Sequence, residues 1–310
     1  MRLSRFALAA AFLWSMTSAW IAPAQAGQPV VWLATADPGG PYAEVVDAVR
    51  AELQGVAAEV VAKPWPELMR SEGPAPRIVV AIGVSALRGF SESGPRVPLL
   101  ATLVPRAAYA GAAAALAGRP HSAVWLDQPA GRQLDLLRLA LPGRTRVGVV
   151  FGSESRAYEN EIQRAAAERG LILVGARSEA PDQLPSALRK ALEDADVLLA
   201  LPDPQVYNGA TIQNVLTSTY RQRVPMAGFS PAYVKAGALL ALYSTPAQVG
   251  NQVGDIVRGF LSGRPLPAPQ GPRDFVVGAN ADVGRSLGIP IDPNAAEKWA
   301  EQLRGKERAP

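Results

Sequence analysis

Runs of apolar residues alternate with amphipathic stretches along most of the 310-residue chain. Ten short runs, rich in valine, isoleucine, leucine and alanine, predict strands. The first five are residues 30–35, 58–63, 78–83, 97–104 and 123–126, and the second five are residues 146–152, 171–176, 197–202, 224–230 and 238–244. Because most of these runs are continuously apolar, we expect parallel strands that are covered on both faces.

The stretches between these runs predict helices with one apolar face. In residues 246–261, apolar side chains recur at spacings of four, three and four, and Gly263 follows as a C-cap. Regular alternation of strands and helices predicts an α/β fold with parallel sheets and right-handed crossovers.

The alternation is interrupted once, at residues 128–143, before a new strand–helix series starts at Arg146. We therefore expect two smaller sheets in two lobes and not a single wide sheet. The tail from Asp292 predicts a terminal helix that frays from Lys306 onward.

The N-terminus is typical of a signal peptide for export. Arg2 and Arg5 precede an apolar stretch at residues 6–20, and Ala-Gln-Ala at residues 24–26 supplies a small-x-small cleavage site. We expect residues 1–26 to be removed. The chain has no cysteine, so it offers no attachment site for a lipoprotein anchor and no disulfides. These features predict a freely diffusing periplasmic protein.

Composition excludes several function classes. Without Arg2 and Arg5, 29 basic residues face 27 acidic ones, and the basic residues form no run, so nucleic-acid binding is not expected. One histidine and no cysteine leave almost no ligands for zinc or copper. Calcium or magnesium held by carboxylates stays open, although no EF-hand-like loop is present. Nucleotide-binding glycine motifs are absent, so we expect no cofactor and no metal.

Catalysis by a serine nucleophile has weak support in the sequence. Ser85 lies in a Gly-Val-Ser-Ala-Leu segment that lacks the second glycine of a nucleophile elbow. His121 is the only histidine, and Glu92 is the only acid between it and Ser85. We therefore expect a binding protein and not an enzyme.

An ordered series of short segments carries a family resemblance between residues 121 and 292. The segments are residues 128–129, 137–142, 147–155, 201–206, 224–230, 237–238, 246–250, 261–266, 280 and 287–290. They resemble the substrate-binding component of ABC-type importers, a family that includes receptors for tryptophan and other aromatic amino acids. The resemblance implies a type I periplasmic-binding fold, in which two Rossmann-like lobes with parallel sheets are joined by a multi-strand hinge.

The resemblance also implies lobe boundaries and a function. One lobe would comprise residues 27–125 plus 245–272, and the other residues 126–244 plus 273–310. The protein would be a monomer that closes on a small polar solute, such as an amino acid or a carboxylate, and passes it to a membrane permease. One alternative stays open: a periplasmic sensor or accessory protein that serves a membrane kinase or an outer-membrane uptake system.

Candidate ligand residues follow from the rule that ligands of open α/β sheets bind beyond the carboxyl ends of the strands. Polar loops after five predicted strands supply Thr35, Asp37, Tyr42, Ser85, Ser153, Glu154, Ser155, Asp203, Tyr207 and Ser230. Hydroxyls and helix N-termini suit a carboxylate, whereas Asp203 suits an ammonium group. Phe229 and Tyr233, with the candidate tyrosines, would pack against an apolar or aromatic side chain.

Each candidate also has an ordinary structural explanation. Serine and aspartate at strand ends often cap helices, and acids such as Glu154 are favoured in a first helical turn. Tyr207 and Tyr233 would equally pack within their own lobe. The family's amino-acid receptors have Gly-Thr where this chain has Gly-Val-Ser at residues 83–85, which leaves the identity of the solute open.

Overall fold

The computed structural model describes residues 28–308. The predicted signal peptide at residues 1–26 lies outside the described residues. Within the described range, every helix is too short or too polar to cross a lipid bilayer.

The described chain forms eleven strands and twelve α-helices. The strands are β1 (Val30–Thr35), β2 (Glu59–Pro64), β3 (Ile78–Ile82), β4 (Leu99–Thr102), β5 (His121–Val124), β6 (Arg146–Phe151), β7 (Ile172–Arg177), β8 (Val197–Leu199), β9 (Met226–Gly228), β10 (Leu240–Tyr243) and β11 (Val276–Ala279). The helices are α1 (Gly40–Glu52), α2 (Trp65–Met69), α3 (Val84–Glu92), α4 (Arg106–Leu116), α5 (Ala130–Ala140), α6 (Glu159–Ala167), α7 (Leu184–Glu193), α8 (Ile212–Arg221), α9 (Pro231–Ala236), α10 (Pro246–Leu261), α11 (Ala281–Leu287) and α12 (Ala295–Arg308).

Two separate sheets confirm the predicted α/β fold with two lobes. The first lobe contains a parallel sheet in the order β2-β1-β3-β4-β5. The second lobe contains a sheet in the order β11-β10-β9-β8-β6-β7, in which only β11 is antiparallel to its neighbour. Both sheets therefore have a topological switch point, between β1 and β3 in the first lobe and between β6 and β8 in the second.

Continuous apolar runs form buried strands because helices cover both faces of each sheet. Val31 and Leu33 of β1 pack with Val249 of α10 on one face, whereas Trp32 packs with Phe90 of α3 on the other. Side chains of successive strand residues point to opposite faces, so β1 must be apolar throughout. Helix α10 starts with a capping box at Thr245, in agreement with the predicted bounds.

All ten predicted strands are present, but most are shorter than predicted. The antiparallel strand β11 was not predicted, because its four residues follow a long proline-rich segment and carry two glycine or alanine residues. The expected fraying from Lys306 is wrong within the described residues, since α12 continues to Arg308. Lys306 Nζ lies 2.5 Å from Asp135 Oδ1 and holds the last turn against α5.

The chain passes between the lobes three times, and hydrogen bonds join these crossings. Gln128, after β5, donates from Nε2 to Ser244 Oγ at 2.9 Å. Ser244, after β10, donates to the Asp274 carbonyl at 2.5 Å. The buried guanidinium of Arg132 donates to Gln128 Oε1 at 2.7 Å and to the Pro272 carbonyl at 2.9 Å. A multi-strand hinge is therefore present, while the boundaries given for the lobes stay predictions.

Candidate functional site

The carboxylate of Asp203 organises the edge of the second sheet that faces the first lobe. Asp203 follows β8 and is 1% exposed. Its Oδ2 accepts hydrogen bonds from the Ser155 N–H and hydroxyl, both at 2.8 Å, and from the Glu154 N–H at 3.1 Å. Its Oδ1 accepts from the Gln205 N–H at 3.0 Å. Four donors of the chain itself therefore surround one carboxylate.

The other hydrogen-bond donors of the loop after β6 also bond to side chains of the protein itself. The Ser155 hydroxyl, which donates to Asp203, also accepts from the Gly152 N–H at 3.0 Å. The Ser153 N–H donates to Gln205 Oε1 at 3.2 Å. Consequently the three backbone N–H groups of residues 153–155 all point at side chains of the loop after β8. A role for these serines in holding a ligand carboxylate stays a prediction, and these internal bonds oppose it.

Gly152 is required where the loops after β6 and β8 meet. A Cβ atom at this position would lie 2.5 Å from Asp203 Oδ1 and 2.6 Å from its Cγ. Only a residue without a side chain lets the two loops approach so closely. The crevice at the switch point of the second sheet is thus filled by the chain's own carboxylate.

Beside Asp203 lies a cavity of about 330 Å³ with an apolar, aromatic lining. Pro105 and Leu126 contribute from the first lobe and the hinge. The second lobe and the hinge contribute Pro202, Asp203, Pro204, Tyr207, Phe229, Ser230, Pro231, Tyr243 and Ser244. A cavity of this size and character suits a small organic ligand.

Two of the predicted residues, Tyr207 and Ser230, line this cavity, although the Tyr207 hydroxyl itself is buried. Tyr207 is 5% exposed, and its OH has no hydrogen-bond partner within the described residues. Burial raises the pKa of Tyr207, so the phenol stays protonated. Ser230 occupies the N-cap position of α9, yet its side chain makes no capping bond. The capping explanation of Ser230 therefore does not apply.

Aromatic rings back one wall of the cavity. Phe229 and Tyr233 lie with ring centroids 4.6 Å apart, and Tyr207 meets both edge-on at 6.1 and 6.5 Å. Burial raises the pKa of Tyr233 to about 12. The three rings pack within the second lobe while two of them, Tyr207 and Phe229, also line the cavity.

The predicted residues of the first lobe are less organised. Asp37 is exposed and accepts a hydrogen bond from the Gly39 N–H at 2.9 Å. Ser85 is exposed in the first turn of α3, whose N-cap is Gly83. The ring of Tyr42 packs over Gly83, where a Cβ atom would lie 2.7 Å from the ring. Thr35 ends β1 and is buried. None of these four residues lines the 330 Å³ cavity.

Glu154 reaches from the second lobe toward the first. It lines a groove of about 420 Å³ together with Val84 and Arg88 of α3 and small residues of α4. Desolvation, with the nearby charges of Asp203 and Asp127, raises the pKa of Glu154. Acidic groups therefore concentrate on this side of the cleft.

Arg106 joins the two lobes close to the hinge. Its backbone N–H donates to Asp127 Oδ2 at 2.7 Å, and its guanidinium donates to Glu161 Oε2 at 2.8 Å. The same guanidinium stacks 4.3 Å from the centre of the Tyr158 ring. Burial raises the pKa of Asp127, although the Arg106 N–H and charge oppose the shift. The guanidinium of Arg106 is thus already paired with Glu161 and stacked on Tyr158.

Comparison with protein families gives one decisive match. A family model described as "ABC transporter substrate binding protein" matches residues 75–270, well over half of the chain. The chain belongs to the ABC transporter substrate-binding protein family. None of the curated proteins compared with it matches.

Solved structures of substrate-binding proteins share the fold. A ligand-free, open substrate-binding protein with adhesive properties from Clostridium difficile is similar with a TM-score of 0.64 and 17% identity, over 86% of this chain and 97% of that one. An ABC domain in complex with L-Trp from Streptococcus pneumoniae has a TM-score of 0.61 and 15% identity, over 88% and 98%. A periplasmic ribose ABC transporter protein from Conexibacter woesei has a TM-score of 0.52 and 16% identity, over 89% and 98%.

Within this substrate-binding protein, the residues considered for a hydrolase lie apart. His121 begins β5, whereas Ser85 follows the end of β3, so the two sit at opposite ends of parallel strands. His121 Nδ1 instead lies 2.5 Å from the Tyr109 hydroxyl. Within residues 28–308, no group of three or more histidine, cysteine or acidic side chains is arranged to hold a metal ion.

The sequence prediction missed the contribution of the hinge and of the loop after β4. Pro105 and Arg106 follow β4, Leu126 follows β5, and Ser244 follows β10. Leu103, between β4 and Pro105, adopts a left-handed φ of 51°, which is uncommon for a residue other than glycine. The same carboxyl-edge rule, applied to every strand and not to five of them, would have found this set.

Proposed function

We propose that this family member is an exported solute receptor that binds a small organic solute between its lobes and delivers it to the permease of an ABC importer. The observation that supports this most is the 330 Å³ cavity beside Asp203, because both lobes and the hinge contribute to its lining. A solute there touches both lobes at once.

Solute binding would be coupled to hinge closure. A ligand that contacts both lobes stabilises the closed arrangement by its higher affinity for that arrangement. Three chain crossings joined by Gln128, Ser244 and Arg132 provide a hinge that changes angle without separating the lobes. Binding and not catalysis is the activity, in keeping with the family.

We place the protein in the periplasm as a freely diffusing monomer. The support is the signal-peptide pattern of residues 1–26 and the lack of a cysteine for lipid attachment. Mass spectrometry of protein exported from a native host would show a mature N-terminus near Gly27.

Thermal-shift screening of the purified protein against a broad metabolite library tests solute binding. A solute at about 100 times its dissociation constant stabilises the protein by roughly 2.7 kcal/mol. Native mass spectrometry of the freshly purified protein would reveal a solute carried through purification. Binding of no small molecule by either method would contradict the proposal.

Uptake measurements test the permease partnership separately. Deleting the receptor from its host should abolish uptake of the solute that it binds, and expression of the full chain should restore uptake. Unchanged uptake despite tight binding would favour the sensor or accessory function.

A further inference from the structure

The crevice at the switch point of the second sheet holds an anion that belongs to the chain. Ligands of open α/β sheets usually occupy such a crevice, and backbone N–H groups there attract anions. Here the N–H groups of Glu154 and Ser155 already bond to Asp203, and that of Ser153 bonds to Gln205. A ligand carboxylate therefore finds no free amide among residues 153–155.

The adjoining cavity also lacks a positive partner for a carboxylate. Among residues 28–308, its lining contains no lysine, arginine or histidine, and Asp203 is the one charged residue that lines it. Arg106, the cation that follows the lining residue Pro105, is paired with Glu161 and stacked on Tyr158. A carboxylate entering this cavity would lose water without gaining a counter-charge.

The negative charges around the same cavity favour a positive charge within it. Asp203 lies in its wall, and Glu154 and Asp127 add negative charge nearby. The aromatic residues Tyr207, Phe229 and Tyr243 line it. Aromatic rings attract organic cations, and an apolar or aromatic body fits among prolines and rings.

We infer that Asp203 stands in for a ligand anion, and that the cleft therefore selects an organic cation with an apolar or aromatic body over carboxylates and amino acids. This inference rests on the proposed function and refines its solute class. Asp203 is thus a specificity-determining residue that also positions the loop after β6.

Four matched probes test the inference by isothermal titration calorimetry with the wild-type protein. Phenethylamine is a cation, phenethyl alcohol is neutral, hydrocinnamate is an anion and L-phenylalanine carries both charges on a similar body. Phenethylamine should bind at least about tenfold tighter than each of the other three, the change expected for one charge-assisted or cation–π contact. High salt should narrow the difference between the charged and the neutral probe.

Variants then test whether Asp203 causes the preference for the cationic probe. In Asp203→Asn, the affinity for phenethylamine should fall to that for phenethyl alcohol, whereas the Asp47→Asn control, at an exposed position in α1 outside the candidate site, should keep the preference. If Asp203→Asn does not fold, the four-probe comparison on the wild type still decides.

Several results would overturn the inference. They are hydrocinnamate or L-phenylalanine binding as tightly as phenethylamine, an Asp203→Asn variant that keeps the preference, and no binding of any of the four probes. If the metabolite library nevertheless yields a solute of another class, the proposed function stands and only the solute class is wrong. A library without any binding solute would remove the proposed function as well.

Discussion

The loops after β6 and β8 in the second lobe contrast with those after β1 and β3 in the first, although both pairs flank the switch point of their sheet. In the second lobe the buried carboxylate of Asp203 accepts four hydrogen bonds. Gly152 has no side chain and therefore leaves room for this carboxylate. In the first lobe Asp37 and Ser85 are exposed and make few contacts. The same topology therefore gives two different walls of the cleft. We call the loops after β6 and β8 the preorganised second wall and the loops after β1 and β3 the open first wall.

This contrast indicates a division of labour during binding. A preorganised wall loses little entropy when a solute arrives, so it can set specificity. Under the hinge closure proposed above, the exposed loops of the open wall would adjust to the solute. Substitutions in the two walls should therefore differ in their effect on stability.

Asp203→Ala should have the largest effect. It leaves the N–H groups of Glu154, Ser155 and Gln205 and the Ser155 hydroxyl without their acceptor, and the two bonds of Ser155 are buried. The free energy of unfolding should fall by about 3 kcal/mol in denaturant titrations. Asp37→Ala in the open wall is the matched control. Equal losses in the free energy of unfolding for the two substitutions would contradict the difference between the two walls.

Gly152→Ala should follow in size. The added methyl group would collide with the Asp203 carboxylate, so the loops must separate. We expect a loss of about 2 kcal/mol in the same titrations. Gly209→Ala is the control, because no atom of the described residues lies within 4 Å of a Cβ built there, and its loss of stability should be far smaller.

Tyr207→Phe should stabilise the protein by about 1 kcal/mol, because it removes a buried hydroxyl that lacks a partner within the described residues. Tyr109→Phe should do the opposite, since it removes the bond to His121. Melting temperatures of the two variants check the pair. A destabilised Tyr207→Phe variant would show that the hydroxyl is satisfied in the free protein.

Glu154→Gln should have a smaller, pH-dependent effect. The folded state raises the pKa of Glu154, so the folded protein binds this proton more tightly than the unfolded chain does. The stability from this group is therefore full below the pKa of the unfolded chain and is lost as pH rises through the raised pKa of the folded state. The variant should lack this decline in unfolding measurements from acidic to neutral pH, and an unchanged profile would exclude the assignment.

Ser85→Ala should have the smallest effect, within about 0.5 kcal/mol of the wild type, because the side chain is exposed and Gly83 is the cap of its helix. A loss of several kcal/mol in denaturant titrations would mean that the first wall is as tightly organised as the second.

Hydrophobic pattern was sufficient to predict the two sheets, since continuous apolar runs such as β1 require cover on both faces. It did not predict β11, whose position depends on pairing with β10 across a long excursion through α10. Asp203 was predicted as a ligand residue from its place after β8. Its internal partners were not, because the bonds to residues 154 and 155 join loops 48 and 49 positions apart in sequence.

Sequence periodicity also could not distinguish a free hydroxyl from a used one. Ser155 and Ser230 both follow strands. The Ser155 hydroxyl donates a hydrogen bond to Asp203, whereas the Ser230 side chain makes no capping bond. That distinction depends on which loops become neighbours, and strand order is set by tertiary packing.

Amide hydrogen exchange of the solute-free protein tests the central claim most directly. The account predicts slow exchange for the N–H groups of Glu154 and Ser155, which bond to a buried carboxylate, and fast exchange for those of Val84 and Ser85 at the exposed start of α3. Fast exchange at Glu154 and Ser155, equal to that of the first wall, would contradict an internally occupied, preorganised second wall.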